Sequence, residues 1–382
     1  MVATPGALEG IRIADFSRVL AGPLATMALA DLGADVIKIE RPGTGDDTRA
    51  WGPPWAADGE SSYYLSANRN KRSIALDLRE QADLATARAL ALRADVVVEN
   101  FRPGVMDGYG LDAATLRAER PELIYCRIAG LGRGDVAGYD FLAQAVGGLM
   151  SITGEAEGDP HKVGVALVDV MAGLHAAIGI LAALHHRDRT GEGQVVEVDL
   201  LSTTLFALAN QASNWLTGGV VPGRLGNRHP SIAPYETFAA ADGPFVVAVG
   251  NDGQFATLCH TIGAPGLAGE ERFVTNAARV DNRDALVAEL ETCLRREPAA
   301  VWIERLLAAQ IPCGRVNDIP AALQYARAVG LDPVAATTRP DGSTVPTVAN
   351  PIAMSSTPPT YRFAPPRLGE DTDAVRAELE EG

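Results

Sequence analysis

The residue best placed to do chemistry is an acid at the start of the most apolar stretch of the chain. Asp169 comes immediately before residues 170–184, which are almost all apolar and small, so we expect a helix buried on nearly every side. A carboxylate at the start of a helix accepts hydrogen bonds from free backbone N–H groups and is stabilised by the helix dipole, so it should stay ionised. Such a group is a weak base, but it can carry another group covalently.

The plainest interpretation of Asp169 is an N-terminal helix cap, because aspartate is preferred at that position. The preceding loop, residues 154–164, contains glycine and proline and ends in small residues, which leaves space for a ligand beside the carboxylate. The residues alone leave both interpretations open.

Cations that could meet an anionic ligand occur at three places. Arg41 follows a predicted strand at residues 35–39, where a positive charge suits a ribose that bears a phosphate, as in coenzyme A; taken alone, a solvated surface charge is the favoured interpretation. Residues 68–72, which read Asn-Arg-Asn-Lys-Arg, form either an anion clamp or an exposed turn. Arg102 lies in the turn at residues 100–104, after a strand with an unbroken valine run.

A parallel α/β sheet is the element that must position these residues. The predicted strands alternate with helices and are residues 11–14, 35–39, 73–78, 95–99, 123–128 and 194–199. Because ligands bind outside the carboxyl ends of the strands in such sheets, the loop around Val19, Arg41 and the turn at 100–104 should converge. The first loop, residues 17–23, lacks the GxGxxG fingerprint, which argues against a nicotinamide or flavin dinucleotide.

The chain divides at a segment rich in glycine, proline and asparagine, residues 218–234. We predict a large Rossmann-like domain whose N-terminal part is residues 1–217, a small α+β domain at 218–330, and a return to the large domain at 331–382.

Composition excludes several functions. A formal net charge of -15 argues against a nucleic-acid partner. The four cysteines form no CxxC pair, so we expect no metal site and no disulfide framework, and we expect a cytoplasmic protein. The N-terminus lacks a signal-peptide pattern and the apolar run near Ile178 is short, so no membrane partner is expected.

Five segments together carry a family resemblance: residues 15–23, 32–40, 70–73, 98–104 and 191–194. Each is weak alone, but the combination is specific and the likeness extends over the whole chain. The chain resembles the family III CoA-transferases, which include formyl-CoA, carnitine and succinyl-CoA-dependent dicarboxylate transferases and the alpha-methylacyl-CoA racemases.

The resemblance implies that Asp169 is a nucleophile that carries the acyl group, and that coenzyme A enters as acyl-CoA substrate rather than as a permanently bound cofactor. It implies an interlocked homodimer whose large Rossmann-like domain is built from both chain ends. The CoA contacts that it implies are Leu20, Ala21, Arg41, Leu76, Arg79, Asn100, Phe101 and Arg102.

A short dicarboxylic acid as acceptor, with succinyl-CoA as donor, is the substrate choice that residues 226–235 favour by resemblance. A distal carboxylate in a water-poor site needs a charged partner, for which Arg228 and His229 are candidates. Tyr139 and Asp140 complete the predicted substrate site. A monocarboxylic acceptor such as formate or a branched acid is the alternative.

Two other functions compete with transfer. A racemase needs two acid/base groups, and the related racemases carry histidine in a Gly-His-Asp run where this chain has Tyr139, a poor base at neutral pH. A non-catalytic CoA-binding protein is expected to lack the acid at the helix start, and Asp169 is present.

Overall fold

A computed structural model describes residues 5–132 and 138–381 of the 382-residue chain. These residues form two compact units. The larger unit takes its residues from 1–150, 162–220 and 332–382, and the smaller unit from 151–161 and 221–331. The sequence interpretation placed residues 151–161 in the larger domain. They group with the smaller unit because Gly226 N–H donates to the carbonyl of Gly154 at 2.9 Å.

A six-stranded parallel sheet forms the centre of the larger unit. Its strands are β1 (Arg12–Asp15), β2 (Asp35–Glu40), β3 (Lys71–Ala75), β4 (Val96–Glu99), β5 (Ile124–Ala129) and β6 (Val195–Asp199). The strand order is β3-β2-β1-β4-β5-β6, as in doubly wound dinucleotide-binding folds, so the predicted α/β class and strand positions are confirmed. The crossover point lies between β1 and β4, which pair with Ile13 opposite Val96.

Helices cover both faces of this sheet, as its continuous apolar strands require. The α-helices described in this part of the chain are α1 (Ala21–Asp31), α2 (Ser62–Leu65), α3 (Gln81–Arg93), α4 (Val105–Gly108), α5 (Ala113–Glu119), α6 (Asp140–Val146), α7 (Leu167–Thr190), α8 (Leu200–Ala207) and α9 (Ala209–Leu216). One core lies between the sheet and α1 and α7, and a second lies between the opposite face and α3 and α5.

The long helix α7 begins earlier and is less buried than its sequence suggests. Leu174, Ile178 and Leu181 form an apolar stripe along one side, and Ile178 is 63% exposed. The prediction of burial on nearly every side was therefore wrong, because apolar composition cannot identify the face that lacks a neighbour within one chain. By length and composition alone α7 could cross a membrane, but its opposite side packs into the core between the sheet and α1.

Small residues allow α1 and α7 to approach closely. A β-carbon added at Gly173 would lie only 2.5 Å from the carbonyl oxygen of Ala21, the first residue of α1. The Asp169 end of α7 is thereby held beside the first turn of α1.

The smaller unit contains an antiparallel sheet and five helices within its described residues. Its elements are β7 (Tyr235–Ala240), β8 (Gly243–Ala248), α10 (Asp252–Thr261), α11 (Asn276–Asp281), α12 (Arg283–Leu294), α13 (Ala299–Ala308), β9 (Cys313–Arg315) and α14 (Ile319–Ala328). Its core is separate from the two cores of the larger unit.

The chain then returns to the larger unit with a hairpin and a final helix: β10 (Val334–Thr338), β11 (Thr344–Val348) and α15 (Thr372–Glu381). This return explains the basic cluster at residues 68–72. Arg69 pairs with Asp31 at 2.6 Å and donates to the carbonyl of Val348, and Lys71 pairs with Asp15 at 3.1 Å. Residues 68–71 are buried, and the partly buried Arg72 pairs with Asp35 and Glu378. The cluster therefore holds the fold together, and both interpretations offered for it, anion clamp and exposed turn, were wrong.

Candidate active site

Asp169 lies in the first turn of α7, three residues after the N-cap position, which Ala166 occupies without a capping side chain. The cap comes from elsewhere. Asp140, at the start of α6, accepts hydrogen bonds through Oδ1 from Val168 N–H at 2.7 Å and Asp169 N–H at 3.3 Å. The interpretation of Asp169 as an N-cap is therefore corrected, because a more distant acid already occupies that role and leaves the Asp169 side chain free for chemistry.

The charge state expected for Asp169 also needs correction. Burial, and then the negative charge of Asp140, raise the pKa of Asp169 to about 7. In the described part of the chain no cation forms an ion pair with its carboxylate to oppose these effects. Near neutral pH the group is therefore balanced between its protonated and ionised forms instead of being held ionised.

A cleft of about 210 Å³ at the carboxyl ends of the strands contains Asp169. It brings together the acid and six other residues that the sequence assigned to substrate contacts: Leu20, Ala21, Asn100, Phe101, Arg102 and Tyr139. Convergence of the first loop with the turn after β4 is the outcome expected at the switch point of such a sheet.

Hydrogen bonds between loops fix the wall of this cleft. The side chain of Asn100 accepts from Arg18 N–H at 2.8 Å and donates to the Arg18 carbonyl at 2.7 Å. Asn100 therefore joins the turn after β4 to the loop after β1. Its predicted contact with CoA stays a prediction.

A second, smaller cleft of about 50 Å³ is lined by two more of the predicted CoA contacts, Arg41 and Leu76, and again by Phe101. Arg18 and Phe101 line both clefts, and the Arg18 guanidinium lies 4.8 Å from the centre of the Phe101 ring. Asp47 binds Arg41 at 2.7 Å and Arg18 at 3.2 Å. Arg18 and Arg41 thus lie at two adjoining clefts, and both pair with the same carboxylate.

Arg79 and Asp140 differ from the other predicted contacts. Arg79 lines neither cleft, and its guanidinium, which is 80% exposed, pairs with Asp77 at 2.7 Å. Asp140 is buried, and besides capping α7 it accepts from Gln144 Nε2 through Oδ2 at 2.6 Å. Asp140 is therefore engaged in supporting α7, whereas Tyr139 beside it is 64% exposed and lines the cleft.

Tyr63 lies close enough to feel the charge of Asp169, although it does not line the cleft, and the sequence reasoning missed it. Burial, followed by the charges of Asp169 and Asp140, raises the pKa of Tyr63 to about 12, so its hydroxyl stays protonated beside the two acids. Trp51 packs edge-on against the Tyr63 ring at 5.1 Å. The available signal was a cluster of tryptophan and tyrosine between residues 51 and 64 in a chain with only 5% aromatic residues.

Arg228 and His229 belong to the smaller unit. Arg228 is already bound to Glu236 at 3.1 Å and to Asp284 at 2.9 Å. His229 Nδ1 accepts from Ser231 N–H at 3.1 Å, and burial and the nearby charge of Arg283 lower the pKa of the imidazole. His229 is therefore neutral near pH 7, and its remaining ring N–H is a hydrogen-bond donor.

Three or more histidine, cysteine, aspartate or glutamate side chains do not come together as a metal site anywhere in residues 5–132 or 138–381.

Residues 8–372 match the model of the CoA-transferase family III. The chain is 46% identical to the succinate–glutarate CoA-transferase of Agrobacterium fabrum, over 98% of this chain and 96% of that protein. It is 41% identical to the acetyl-CoA:oxalate CoA-transferase of Acetobacter aceti, over 98% and 96% of the two chains.

Among solved structures, a CaiB/BaiF family protein from Brucella suis superposes with a TM-score of 0.86 at 42% identity, and covers 98% of this chain and 100% of that one. Sequence and fold thus agree over nearly the full length. The chain, with a carboxylate standing in a cleft at the switch point of its parallel sheet, belongs to the family III CoA-transferases, and it is an enzyme of that class.

Proposed function

We propose that this enzyme moves CoA from succinyl-CoA or a similar donor to a short dicarboxylic acid, and that Asp169 carries the transferred groups. The observation that supports this most is the single cleft that contains both Asp169 and the turn at residues 100–102, next to a second cleft lined by Arg41. This arrangement offers a thioester-sized reaction site at one end and cationic groups for the CoA phosphates at the other.

The reaction begins when an Asp169 carboxylate oxygen attacks the thioester carbonyl of the donor. A C–O bond forms, the C–S bond breaks, and CoA leaves as a thiolate beside a mixed anhydride. The thiolate then attacks the γ-carbon of Asp169, which forms an enzyme thioester and releases the donor acid as its carboxylate.

The acceptor carboxylate reverses these steps. It attacks the γ-carbon of the Asp169 thioester and expels the CoA thiolate, which leaves an anhydride between the acceptor and the enzyme. The thiolate attacks the acceptor carbonyl, acceptor-CoA forms, and the Asp169 carboxylate is regenerated. One thioester is exchanged for another, so the sequence balances without ATP, metal or redox chemistry.

The raised pKa of Asp169 suits this role. A carboxylate that is poorly solvated and lacks a cationic partner is a better nucleophile than one held in an ion pair. The first N–H groups of α1, at Leu20 and Ala21, have no acceptor among the described residues and line the same cleft. Such donors can stabilise the negative oxygen that develops on an attacked carbonyl.

The names of the relatives support a dicarboxylic acceptor, because the proteins from Agrobacterium fabrum and Acetobacter aceti are named for glutarate and oxalate. A distal carboxylate carried into a water-poor site needs a charged or strongly donating partner. Of the two candidates, Arg228 would have to exchange or share Glu236 or Asp284 to provide one. His229 can donate from Nε2 without losing its bond to Ser231.

A panel of succinate, glutarate, malate, butyrate and formate, tested with succinyl-CoA, tests the assignment. We expect the parent enzyme to prefer the diacids, and we expect Arg228→Ala or His229→Ala to raise KM for a diacid about tenfold or more while changing KM for butyrate little. A parent enzyme that prefers monoacids would overturn the dicarboxylate assignment. Retention of diacid selectivity by both variants would remove the two residues from the acceptor site.

We also propose that the enzyme is an interlocked homodimer. The apolar stripe of Leu174, Ile178 and Leu181 supports this, as do Phe206 and Leu216 of α8 and α9, which are 75% and 78% exposed. Apolar area of this extent is normally covered by another protein surface. Sedimentation at micromolar concentration should give only dimers, and dilution should not release active monomers.

A further inference from the structure

The wall of the Asp169 cleft contains an unusual backbone conformation. Val19 has a φ of 70°, in the left-handed region that glycine enters freely but that a β-branched residue rarely adopts. Val19 connects the end of β1 to the start of α1, and it lines the cleft together with Leu20 and Ala21. A strained residue at this place requires neighbours that hold it there.

One such neighbour is Asp46, which is almost completely buried. Its two carboxylate oxygens accept from Val19 N–H at 3.3 Å and 3.2 Å. The adjacent residue, Arg18, is fixed on both its N–H and its carbonyl by Asn100. The loop is therefore clamped at two consecutive residues by side chains from two other loops.

Asp46 is in turn held by Lys38. The Lys38 ammonium lies 2.9 Å from Asp46 Oδ2 and donates to the Ser17 carbonyl at 2.8 Å, and both charged side chains are fully buried. Thr48 contributes a backbone N–H at 3.0 Å and a hydroxyl at 2.8 Å to Asp46 Oδ1. Burial alone would raise the pKa of Asp46, but the Lys38 charge and the hydrogen bonds from Thr48 and Lys38 together outweigh it and hold the pKa at about 2. The acceptor of Val19 thus stays ionised across the working range of pH.

We propose that Asp46, supported by Lys38, is a positioning residue for CoA transfer: it holds Val19 in the left-handed conformation and so sets the Val19–Ala21 wall of the cleft that contains Asp169. This inference rests on the proposed function of the cleft. It assigns a kinetic consequence to a buried ion pair that would otherwise count only toward stability.

A positioning role for Asp46 and a role in stability alone predict different activities when Val19 is replaced by glycine. Without Asp46, valine should relax out of the left-handed region, because strain of this kind corresponds to a population factor of about 5 to 150. Glycine occupies that region about as readily as its mirror image, so it needs no clamp. Replacing Val19 by glycine does not give Lys38 a new partner, so it should not restore the stability lost with Asp46.

The experiment compares Asp46→Ala, Val19→Gly and the double variant by kcat/KM for transfer and by urea unfolding. We expect kcat/KM to fall about 5- to 150-fold in Asp46→Ala and about two- to threefold in Val19→Gly, and we expect the double variant to match Val19→Gly and to exceed Asp46→Ala. The double variant should be as destabilised as Asp46→Ala while recovering activity. A double variant no more active than Asp46→Ala overturns the inference, as does an Asp46→Ala enzyme with parental activity.

Val19→Pro tests the same idea without unpairing Lys38, since proline fixes φ near -65° and has no N–H to donate. We expect it to lose activity at least about fivefold and to be less destabilised than Asp46→Ala, because the Lys38–Asp46 pair is retained. Parental activity in Val19→Pro would also overturn the inference. A parent enzyme without CoA-transferase activity would instead refute the proposed function, so the two failures are distinguishable.

Discussion

The pKa values of two acids that line or support the same cleft are shifted in opposite directions. Asp46, beneath the Val19 loop, lies 2.9 Å from Lys38, and its pKa is held at about 2. Asp169, at the start of α7, has its pKa raised to about 7 by burial and by the negative charge of Asp140. Burial favours the protonated form of both acids, so the sign of the outcome depends on whether a cation or another acid stands beside each.

The difference has a thermodynamic sign that follows from linkage. The lowered pKa of Asp46 contributes stability that is present above the unfolded value of 3.8 and is lost as the pH falls toward about 2. The raised pKa of Asp169 acts in reverse: the folded state favours the bound proton, so stability falls as the pH rises from 3.8 to about 7. The ionised form of Asp46 therefore stabilises the folded state, whereas ionisation of Asp169 lowers the stability of the folded state.

Removing the reactive acid should give the largest effect. Asp169→Asn should lower kcat by about four orders of magnitude or more, because an amide cannot form the anhydride, while the affinity for CoA changes little. The fold should be retained because Asp140, not Asp169, caps α7. At pH 8 the variant should be at least as stable as the parent, since the amide has no charge to desolvate. Turnover, CoA titration and urea unfolding measure these three outcomes.

Asp188→Asn, the same change at an exposed position of α7, is the matched control and should behave as the parent in all three measurements. Near-parental turnover in Asp169→Asn would remove Asp169 from the mechanism.

Removing the cation that pairs with Asp46 should mainly lower the stability of the fold. Lys38→Met leaves Asp46 and its neighbouring acids buried without their cation, and we expect a loss of about 3–5 kcal/mol in the free energy of unfolding. Lys162→Met, at an exposed lysine, should change the free energy of unfolding by less than about 0.5 kcal/mol. If the two variants unfold at the same urea concentration, the ion pair contributes nothing and the contrast with Asp169 fails.

Arg41 and Arg79, two of the predicted CoA contacts, are placed differently. Arg41 lines the second cleft, whereas Arg79 lines neither cleft and is occupied by Asp77. Arg41→Ala should weaken CoA about 10- to 100-fold and dephospho-CoA much less, if Arg41 contacts the 3′-phosphate. Arg79→Ala, a matched loss of one arginine, should affect neither ligand by more than about twofold. Equal losses of CoA and dephospho-CoA in Arg41→Ala would mean that the phosphate is bound elsewhere.

Local patterns were sufficient to predict the sheet and one side of the site. Strand periodicity and the glycine at position 33 gave the parallel strands within three residues, and a parallel sheet fixes the edge at which loops converge. That rule alone brings the Val19 loop and the turn at residues 100–104 together.

Contacts between distant residues were not predictable in this way. Asp140 caps a helix 28 residues away, and Tyr63 approaches Asp169 from a segment more than 100 positions earlier, so neither leaves a periodic signal. The cluster at residues 68–72 is polar in composition, yet it is buried by partners such as Asp31 and Val348, which only the tertiary fold supplies.

The smallest expected effect separates the two causes of the raised Asp169 pKa. Burial is the larger cause and Asp140 the second, so Asp140→Asn should lower the pKa of Asp169 only in part. The nucleophile is the carboxylate, and kcat/KM therefore rises with pH as Asp169 ionises. Loss of the Asp140 charge should move this rising limb to lower pH, while the asparagine oxygen still accepts from Val168 N–H. Rates measured between about pH 5 and pH 9 detect the shift.

The same substitution also places an amide against Gln144 Nε2, which now donates to Asp140. Gln144→Ala is therefore the control: it removes that hydrogen bond and leaves the charge of Asp140 unchanged. A shift in Asp140→Asn that Gln144→Ala does not reproduce is electrostatic, and it makes the pair of acids the means by which this cleft holds its nucleophile near neutrality. A limb that stays in place, or that moves to higher pH, would leave burial as the only cause and would reduce Asp140 to a helix cap.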